Sequence, residues 1–356
     1  MDKRVYITYY RVQKTEEEKV VTALKGVLPV LNQYDLSVKG IIPIQEDVYR
    51  IETPRGVYCL KCANKGEHKM LFIYSVLKHL VDNGFHKVSA PVPTQDGSPL
   101  AKLDREIYFM TEWVFGNPCN FKRNDHLTQA TITLAEFHKY AKEAVLLPGA
   151  KARVMYKKWP HVFRTRTDEL KAFKKTVQDK RTPNVFEKRF LSHANHFIEL
   201  AEKACQTLNN SAYEKIAQRA EKEKTFTHRD VAARNFIIGE KKEAFLIDFD
   251  YSRFDIRAAD VVRLTERSLR DEKWNKDKGE LVFKTYNKVY PLEPEQYQVM
   301  LAFFQFPQKV WRLANRYFIG KYPWQEEGYL KKLMSAIRKL SYQEKFAQFF
   351  EEKYCK

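Results

Sequence analysis

The chain has 356 residues, with 63 Lys and Arg against 45 Asp and Glu, giving a formal net charge of +18. Hydrophobic residues make up 44% and only 12 glycines are present, which excludes a chain disordered throughout, a collagen-like repeat and a low-complexity polymer. No apolar run reaches the roughly 20 residues a membrane-crossing helix needs, and Met1-Asp2-Lys3-Arg4-Val5-Tyr6 lacks the apolar stretch of a signal peptide, so residence in the cytoplasm of the producing cell is expected.

Residues 16–28 predict a helix: Glu16, Glu17 and Glu18 suit its N-terminal dipole, and Val20, Val21, Leu24 and Leu28 give its apolar stripe. Pro29 should end or kink it. From Val38 to Ala63 the pattern becomes strand-like. Gly40-Ile41-Ile42 opens one strand, Val48 to Ile51 a second and Val57 to Lys61 a third, with Pro54-Arg55-Gly56 as the last turn. Met70, Ile73, Leu77 and Leu80 then mark a helix that Asn83-Gly84 ends. Residues 85–112 return to strands, the last running from Glu106 to Thr111. After a hinge at 112–116 the chain reads as mostly helical, beginning with Leu127, Ala130, Leu134, Phe137 and Ala141. A β-hairpin interrupts near 225–250. The fold class expected is α+β and bilobal: a small β-rich N-lobe over 1–112 and a larger, mainly helical C-lobe over 113–356.

Five cysteines stand at 59, 62, 119, 205 and 355, an odd and irregular set unlike a disulfide framework. Cys59 and Cys62 are formally C-x-x-C, but they sit on an expected strand and no second pair completes a zinc site. Residues 151–190 carry 13 Lys and Arg against 4 Asp and Glu, half of the chain's excess. Two readings fit that stretch: recognition of an anionic partner, or a solvated helical face. No nucleic-acid-binding signature accompanies it.

The chemistry concentrates in Thr227-His228-Arg229-Asp230-Val231-Ala232-Ala233-Arg234-Asn235, followed by a hairpin and Ile247-Asp248-Phe249-Asp250. Phosphoryl transfer needs one carboxylate to accept the acceptor's hydroxyl proton, and a carboxylate plus an amide oxygen to hold Mg²⁺ on the phosphates. Asp230 fits the base, Asn235 one metal ligand and Asp248 the main one. Lys61 shares a strand face with Val57 and Cys59. Its ammonium there needs an anion, such as the phosphates of ATP, unless it snorkels from the strand end. A Glu on the next helix would orient that lysine. Glu67 is the only acidic residue between Lys61 and Leu80, and it serves equally as a capping residue. The backbone of Glu112, Trp113 and Val114 is the expected adenine-binding hinge. No glycine lies between Gly40 and Gly56, and the turn Ile44-Gln45-Glu46-Asp47 is acidic. A phosphate-covering glycine loop is therefore missing, which argues against a eukaryotic-type protein kinase.

These motifs, with Leu134-Ala135-Glu136-Phe137-His138 and Ala258-Ala259-Asp260-Val261, resemble the aminoglycoside phosphotransferase and choline kinase-like superfamily over residues 35–320. The resemblance implies that Asp260 ties the catalytic segment together and that His228 and Arg229 are structural. Three further stretches, Gly56 to Lys61, Val30 to Leu36 and Phe306 to Trp311, are similar to the CotS/CotI-type bacterial spore coat proteins. That resemblance implies synthesis in the mother cell and deposition on the spore coat. The expected function is ATP- and Mg²⁺-dependent transfer to an unidentified hydroxyl acceptor, the partners being a nucleotide and an anionic acceptor or other coat proteins. A non-catalytic coat component on the same scaffold is the alternative, and nucleic-acid binding the weakest reading.

Overall fold

In the computed structural model, which describes residues 27–63, 66–320 and 326–355, the N-terminal strands pair into one antiparallel sheet. Strands β1 (Gly40–Gln45), β2 (Val48–Thr53) and β3 (Gly56–Cys62) form a meander. Strands β4 (Pro91–Val92), β5 (Ala101–Leu103) and β6 (Glu106–Glu112) complete it in the order β1-β2-β3-β6-β4, with β5 on the free end of β6. Leu60 and Cys62 on β3 and Tyr108 and Met110 on β6 enter a small core, closed by Val27, Val30, Leu31 and Tyr34. The expected helix over 16–28 lies almost wholly outside the described residues. Its described end remains helical through Pro29 to Leu31, so Pro29 does not stop it. Burial of Val27, Val30 and Leu31 against the sheet holds that turn.

The opposite sheet face meets α1 (Glu67–Asp82), whose Met70, Ile73, Leu77 and Leu80 are all buried. Gly84, at φ +93, follows its end. Each Leu or Ile buried this way contributes about 1.5–3 kcal/mol. This layer belongs to the large core, which continues into the helical part without a break at residue 112.

Beyond the hinge come β7 (Asn117–Pro118) and α2 (Asn124–Tyr140), which buries Leu127, Ala130, Leu134 and Phe137 along one stripe. Next are α3 (Trp159–Gln178), α4 (Val185–Leu191), α5 (Ala194–Asn209) and α6 (Tyr213–Lys222). The β8 strand (Phe226–Thr227) pairs with β11 (Arg253–Phe254), and between them β9 (Phe236–Ile238) and β10 (Ala244–Leu246) form the hairpin. The rest is α7 (Ala258–Leu269), α8 (Lys276–Val289), α9 (Pro294–Gln305), α10 (Gln308–Phe318) and α11 (Glu326–Tyr354). The architecture is α+β: an N-terminal antiparallel sheet and a mostly helical C-terminal part. Among the described residues, no helix is long and apolar enough to cross a membrane.

Between the two readings of the basic stretch 151–190, the structure favours the solvated face. Helix α3 turns Phe163, Leu170, Phe173 and Val177 inward and leaves Arg164, Lys171 and Lys175 exposed. Lys157, Lys171 and Lys180 meet Glu221, Glu202 and Glu187 at 2.5, 2.7 and 2.8 Å. All five cysteines are free thiols, and burial pushes the Cys59 thiol up to about 11, leaving it protonated and unreactive at neutral pH.

Candidate active site

The segment between β8 and β9 carries Asp230 and Asn235. Its shape is set by a buried carboxylate. Asp260, on the first turn of α7, accepts the backbone N–H groups of His228 and Arg229 at 2.7 and 2.9 Å. Arg229 adopts a left-handed φ of +69, and those two bonds help hold that turn. Burial alone would raise the Asp260 carboxyl. The neighbouring His138 ring first, then the Arg229 guanidinium, hold it below its ordinary value. The His228 ring donates from Nε2 to the Ile247 carbonyl at 2.9 Å and accepts the Asp230 N–H on Nδ1 at 3.2 Å. Those partners require the neutral tautomer, and complete burial lowers its basicity in the same direction. The Arg229 guanidinium donates to Ala259 O at 3.0 Å and lies 5.4 Å from the Trp159 ring centroid.

The hairpin does the remaining assembly. Asn235 immediately precedes β9, and its carbonyl accepts the Ile247 N–H at 2.9 Å, so Asp248 follows directly beside it. Asp248 sits in left-handed backbone, φ 66 and ψ 72, a conformation Asp tolerates better than most residues. Nδ2 of Asn235 donates to Asp230 O at 2.7 Å and to Asp230 Oδ2 at 2.9 Å. Two arginines complete the cradle of Asp230. Arg234 reaches Oδ2 at 2.6 Å and Arg267, from α7, reaches Oδ1 at 2.5 Å.

Lys61 arrives from the sheet. Its Nζ lies 3.3 Å from Asp248 Oδ1 and 2.8 Å from Asp250 Oδ2, contacts that span 187 and 189 residues of chain. Burial would lower the ammonium's pKa. Asp248 and then Asp250 outweigh it and raise the value, so Lys61 is a cation at neutral pH. The structure thus gives this strand lysine its anion, as the sequence demanded. The anion it supplies is protein, and half of it is Asp250, which sequence reasoning passed over. The signal was there: Asp248-Phe249-Asp250 carries a second carboxylate two residues after the first.

Glu67 does not reach Lys61. It opens α1 and pairs with Lys102 at 2.7 Å on an exposed surface. The expectation that Glu67 orients Lys61 is corrected accordingly. Starting α1 at Glu67 places that carboxylate at the helix entrance, and Asp250 takes the orienting position from the other side. At the hinge, the Glu112 N–H donates to Ala90 O at 2.8 Å and the Trp113 N–H to Val57 O at 2.9 Å. Val114 alone of the three keeps a backbone N–H without a backbone partner among the described residues. Gly116 crosses so close to β9 that a Cβ would collide with the Ile238 carbonyl, and its φ of +139 suits no other residue.

Among the described residues, no group of three or more His, Cys, Asp or Glu side chains forms a cage for a metal ion. The oxygen donors of Asn235 and Asp248 instead match the habit of Mg²⁺, a hard cation that takes one or two protein oxygens and completes its shell with water and phosphate.

The family described as "Spore coat putative kinase YutH" matches residues 29–350, and the chain belongs to that family. Spore coat protein S of Bacillus subtilis (strain 168) is 25% identical over 350 residues, 97% of each chain. Among solved structures, the aminoglycoside phosphotransferase of Alicyclobacillus acidocaldarius superposes with a TM-score of 0.79 at 21% identity, over 92% of this chain and 95% of that one. Spectinomycin phosphotransferase APH(9)-Ia, solved with ADP and spectinomycin, gives a TM-score of 0.62 at 13% identity, over 90% and 98%. At these identities the likeness shows the fold, that of the aminoglycoside phosphotransferase and choline kinase-like enzymes.

Proposed function

We propose that this spore coat family member is an ATP- and Mg²⁺-dependent phosphotransferase acting on a hydroxyl acceptor, with the segments 1–112 and 113–356 as the lobes flanking its cleft. The observation that carries this reading is the convergence of Lys61, Asp248, Asn235 and Asp230 from a sheet, a hairpin and a loop. Lys61 binds the α- and β-phosphates once nucleotide replaces part of its carboxylate contact. The N–H of Val114, without a backbone partner among the described residues, donates to the adenine edge, beside the backbone of Glu112 and Trp113. Mg²⁺, held by Asn235 and Asp248, supplies charge neutralisation on the phosphates. Asp230 orients the acceptor hydroxyl and takes its proton as the oxygen bonds to the γ-phosphorus and the bond to the ADP oxygen breaks. Positioning and charge compensation are what such a site contributes, because this transfer needs little covalent help from protein.

The test is calorimetric titration of ATP–Mg²⁺ into the whole chain and into Asp248→Ala. Binding by the wild type that falls at least tenfold in the variant, a loss of roughly 1.4 kcal/mol or more, supports the reading. No binding by the wild type overturns it.

A second reading, a coat component that no longer catalyses, has its own support. Lys61 faces two carboxylates, Asp230 is engaged by two arginines, and the β1–β2 turn is Glu46-Asp47 without glycine. Coat assembly in cells carrying Asp230→Asn with Asp248→Ala separates the two. A deletion-like defect with the variant protein still present in the coat removes the structural reading.

A further inference from the structure

Helix α7 and its C-cap residue place Arg263, Arg267 and Arg270 at i, i+4 and i+7, on one face. Helix α10 does the same with Lys309 and Arg312. Both stripes turn into one cavity of about 1030 Å³, closed on the third side by α11. Nine Lys or Arg side chains line it against two carboxylates, Glu266 and Glu327. Glu266 is committed to Arg263 at 3.5 Å. Arg270, Lys309, Arg312 and Arg338 have no ion-pair partner among the described residues. The Nε groups of Arg263 and Arg267 are buried without a hydrogen-bond acceptor. Crowding shows in the titration of these groups as well. Desolvation, then repulsion by Arg312, Arg270 and Arg316, pushes Lys309 down to about 8. Burial, then Arg263, pushes Arg267 down to about 10.

Concentrating cations in a concave, partly apolar space is unfavourable unless an anion fills it. We propose that this cavity binds a compact polyanion bearing several phosphate or carboxylate groups, the anionic part of the acceptor. The inference rests on the phosphotransferase reading only for the word acceptor. The link is Arg267, which lines the cavity and also donates to Asp230 Oδ1 at 2.5 Å. A smaller pocket shares Arg267 and Arg270 with the cavity and reaches Ala232 and Arg234 of the catalytic loop, with Asp271 and Glu272 also in its lining. The cavity's volume suits a small molecule or the end of a polymer, and its concave walls do not suit a duplex. The basic stretch at 151–190 contributes none of the lining. An anionic ligand is therefore read by residues some hundred positions further along the chain.

The experiment titrates inorganic tripolyphosphate and, separately, citrate into the whole chain without nucleotide at ~50 mM salt. The expected result is binding of one or both, weakened at least tenfold in Lys309→Glu/Arg312→Glu, and weakened less in Lys309→Gln/Arg312→Gln. Lys78→Gln, on an exposed helix face outside the lining, should leave it unchanged. Tighter binding of tripolyphosphate than of citrate assigns phosphate, and the reverse assigns carboxylate. Because Arg267 divides its charge between Asp230 and the cavity, Asp230→Asn should tighten binding several-fold. No binding of either polyanion, or equal binding by the Glu and Gln double variants and wild type, overturns the proposal. Duplex DNA competing as strongly as tripolyphosphate overturns the compact ligand and assigns nucleic acid. Polyanion binding with no ATP–Mg²⁺ binding would leave the cavity standing and remove the phosphotransferase. The opposite pair of results would do the reverse.

Discussion

At one end of the site Lys61 faces Asp248 and Asp250, two carboxylates for a single ammonium. At the other, nine Lys and Arg side chains share a cavity with Glu266 and Glu327. The same chain, with its excess of 18 positive charges, has neutralised one cation twice over and left Arg270, Lys309, Arg312 and Arg338 without an ion-pair partner among the described residues. A self-neutralised lysine can be held in place before any ligand binds, but an incoming phosphate must compete with its carboxylates or arrive with its own cation. An unneutralised cavity costs stability in the free protein and returns it on binding an anion. On the proposed readings, the two ends therefore differ in what they ask of a ligand: a metal-bearing nucleotide at Lys61, a bare polyanion at Arg312.

The most damaging way to break this contrast is at the joint between the two ends. Asp260 holds His228 and Arg229, and through them the loop bearing Asp230. Replacing it with Ala strands two buried N–H donors and removes the carboxylate beside His138 and Arg229. A loss of about 3–5 kcal/mol in urea unfolding is expected, with both ATP and polyanion binding falling together. A loss under about 1 kcal/mol would show that the joint is held elsewhere.

Acid should weaken the same joint. Burial lowers the pKa of His138 and His228 below the ordinary 6.5, so both are neutral in the folded chain. The unfolded state then binds more protons below that value, and the stability these groups contribute is lost as pH falls from it toward their folded values. A melting temperature several degrees lower at about pH 5 than at about pH 7.5 is expected. Identical melting at the two values would contradict it.

Asp250→Gly sharpens the contrast at the Lys61 end. Removing one of two partly buried carboxylates, with the other left to pair with Lys61, should change stability by about 1 kcal/mol or less. It should also free the ammonium and tighten ATP–Mg²⁺ binding a few-fold by calorimetry. Weaker binding would instead place Asp250 among the ligands of the nucleotide's metal. The smallest effect is expected for Glu67→Ala, since its pair with Lys102 is exposed. Stability should shift by about 0.5 kcal/mol or less and nucleotide affinity should not change, as thermal shift with and without ATP would show.

Much of the fold was legible because its periodicities were clean. The alternation on β3 placed Lys61 opposite Leu60 and Cys62, and the stripe from Leu127 to Phe137 buried as its spacing requires. The basic stretch was legible only as two alternatives, because composition counts charges without saying which helix face carries them. Glu67 misled for a related reason. Sequence order fixes which acidic residue follows the lysine, but the turn at which the helix begins decides where that carboxylate points. The stripes Arg263-Arg267-Arg270 and Lys309-Arg312 were each readable as a helix face. Their convergence was not, because α7 and α10 are separated by some forty residues.

By itself, the sequence determined the order of the parts: the strand lysine, the five-residue step from Asp230 to Asn235, the hairpin and Asp248. Those are local, set by spacing and turn chemistry, and they also carried the resemblance to the kinase-like superfamily, while Gly56 to Lys61, Val30 to Leu36 and Phe306 to Trp311 carried that to the spore coat proteins. Only the tertiary structure decided what each charged group meets. Asp250 rather than Glu67 faces Lys61, and Arg267 rather than the 151–190 stretch stands between Asp230 and a basic cavity. Electrostatic partners are chosen across distances of chain that no local pattern spans, and by burial that only packing supplies.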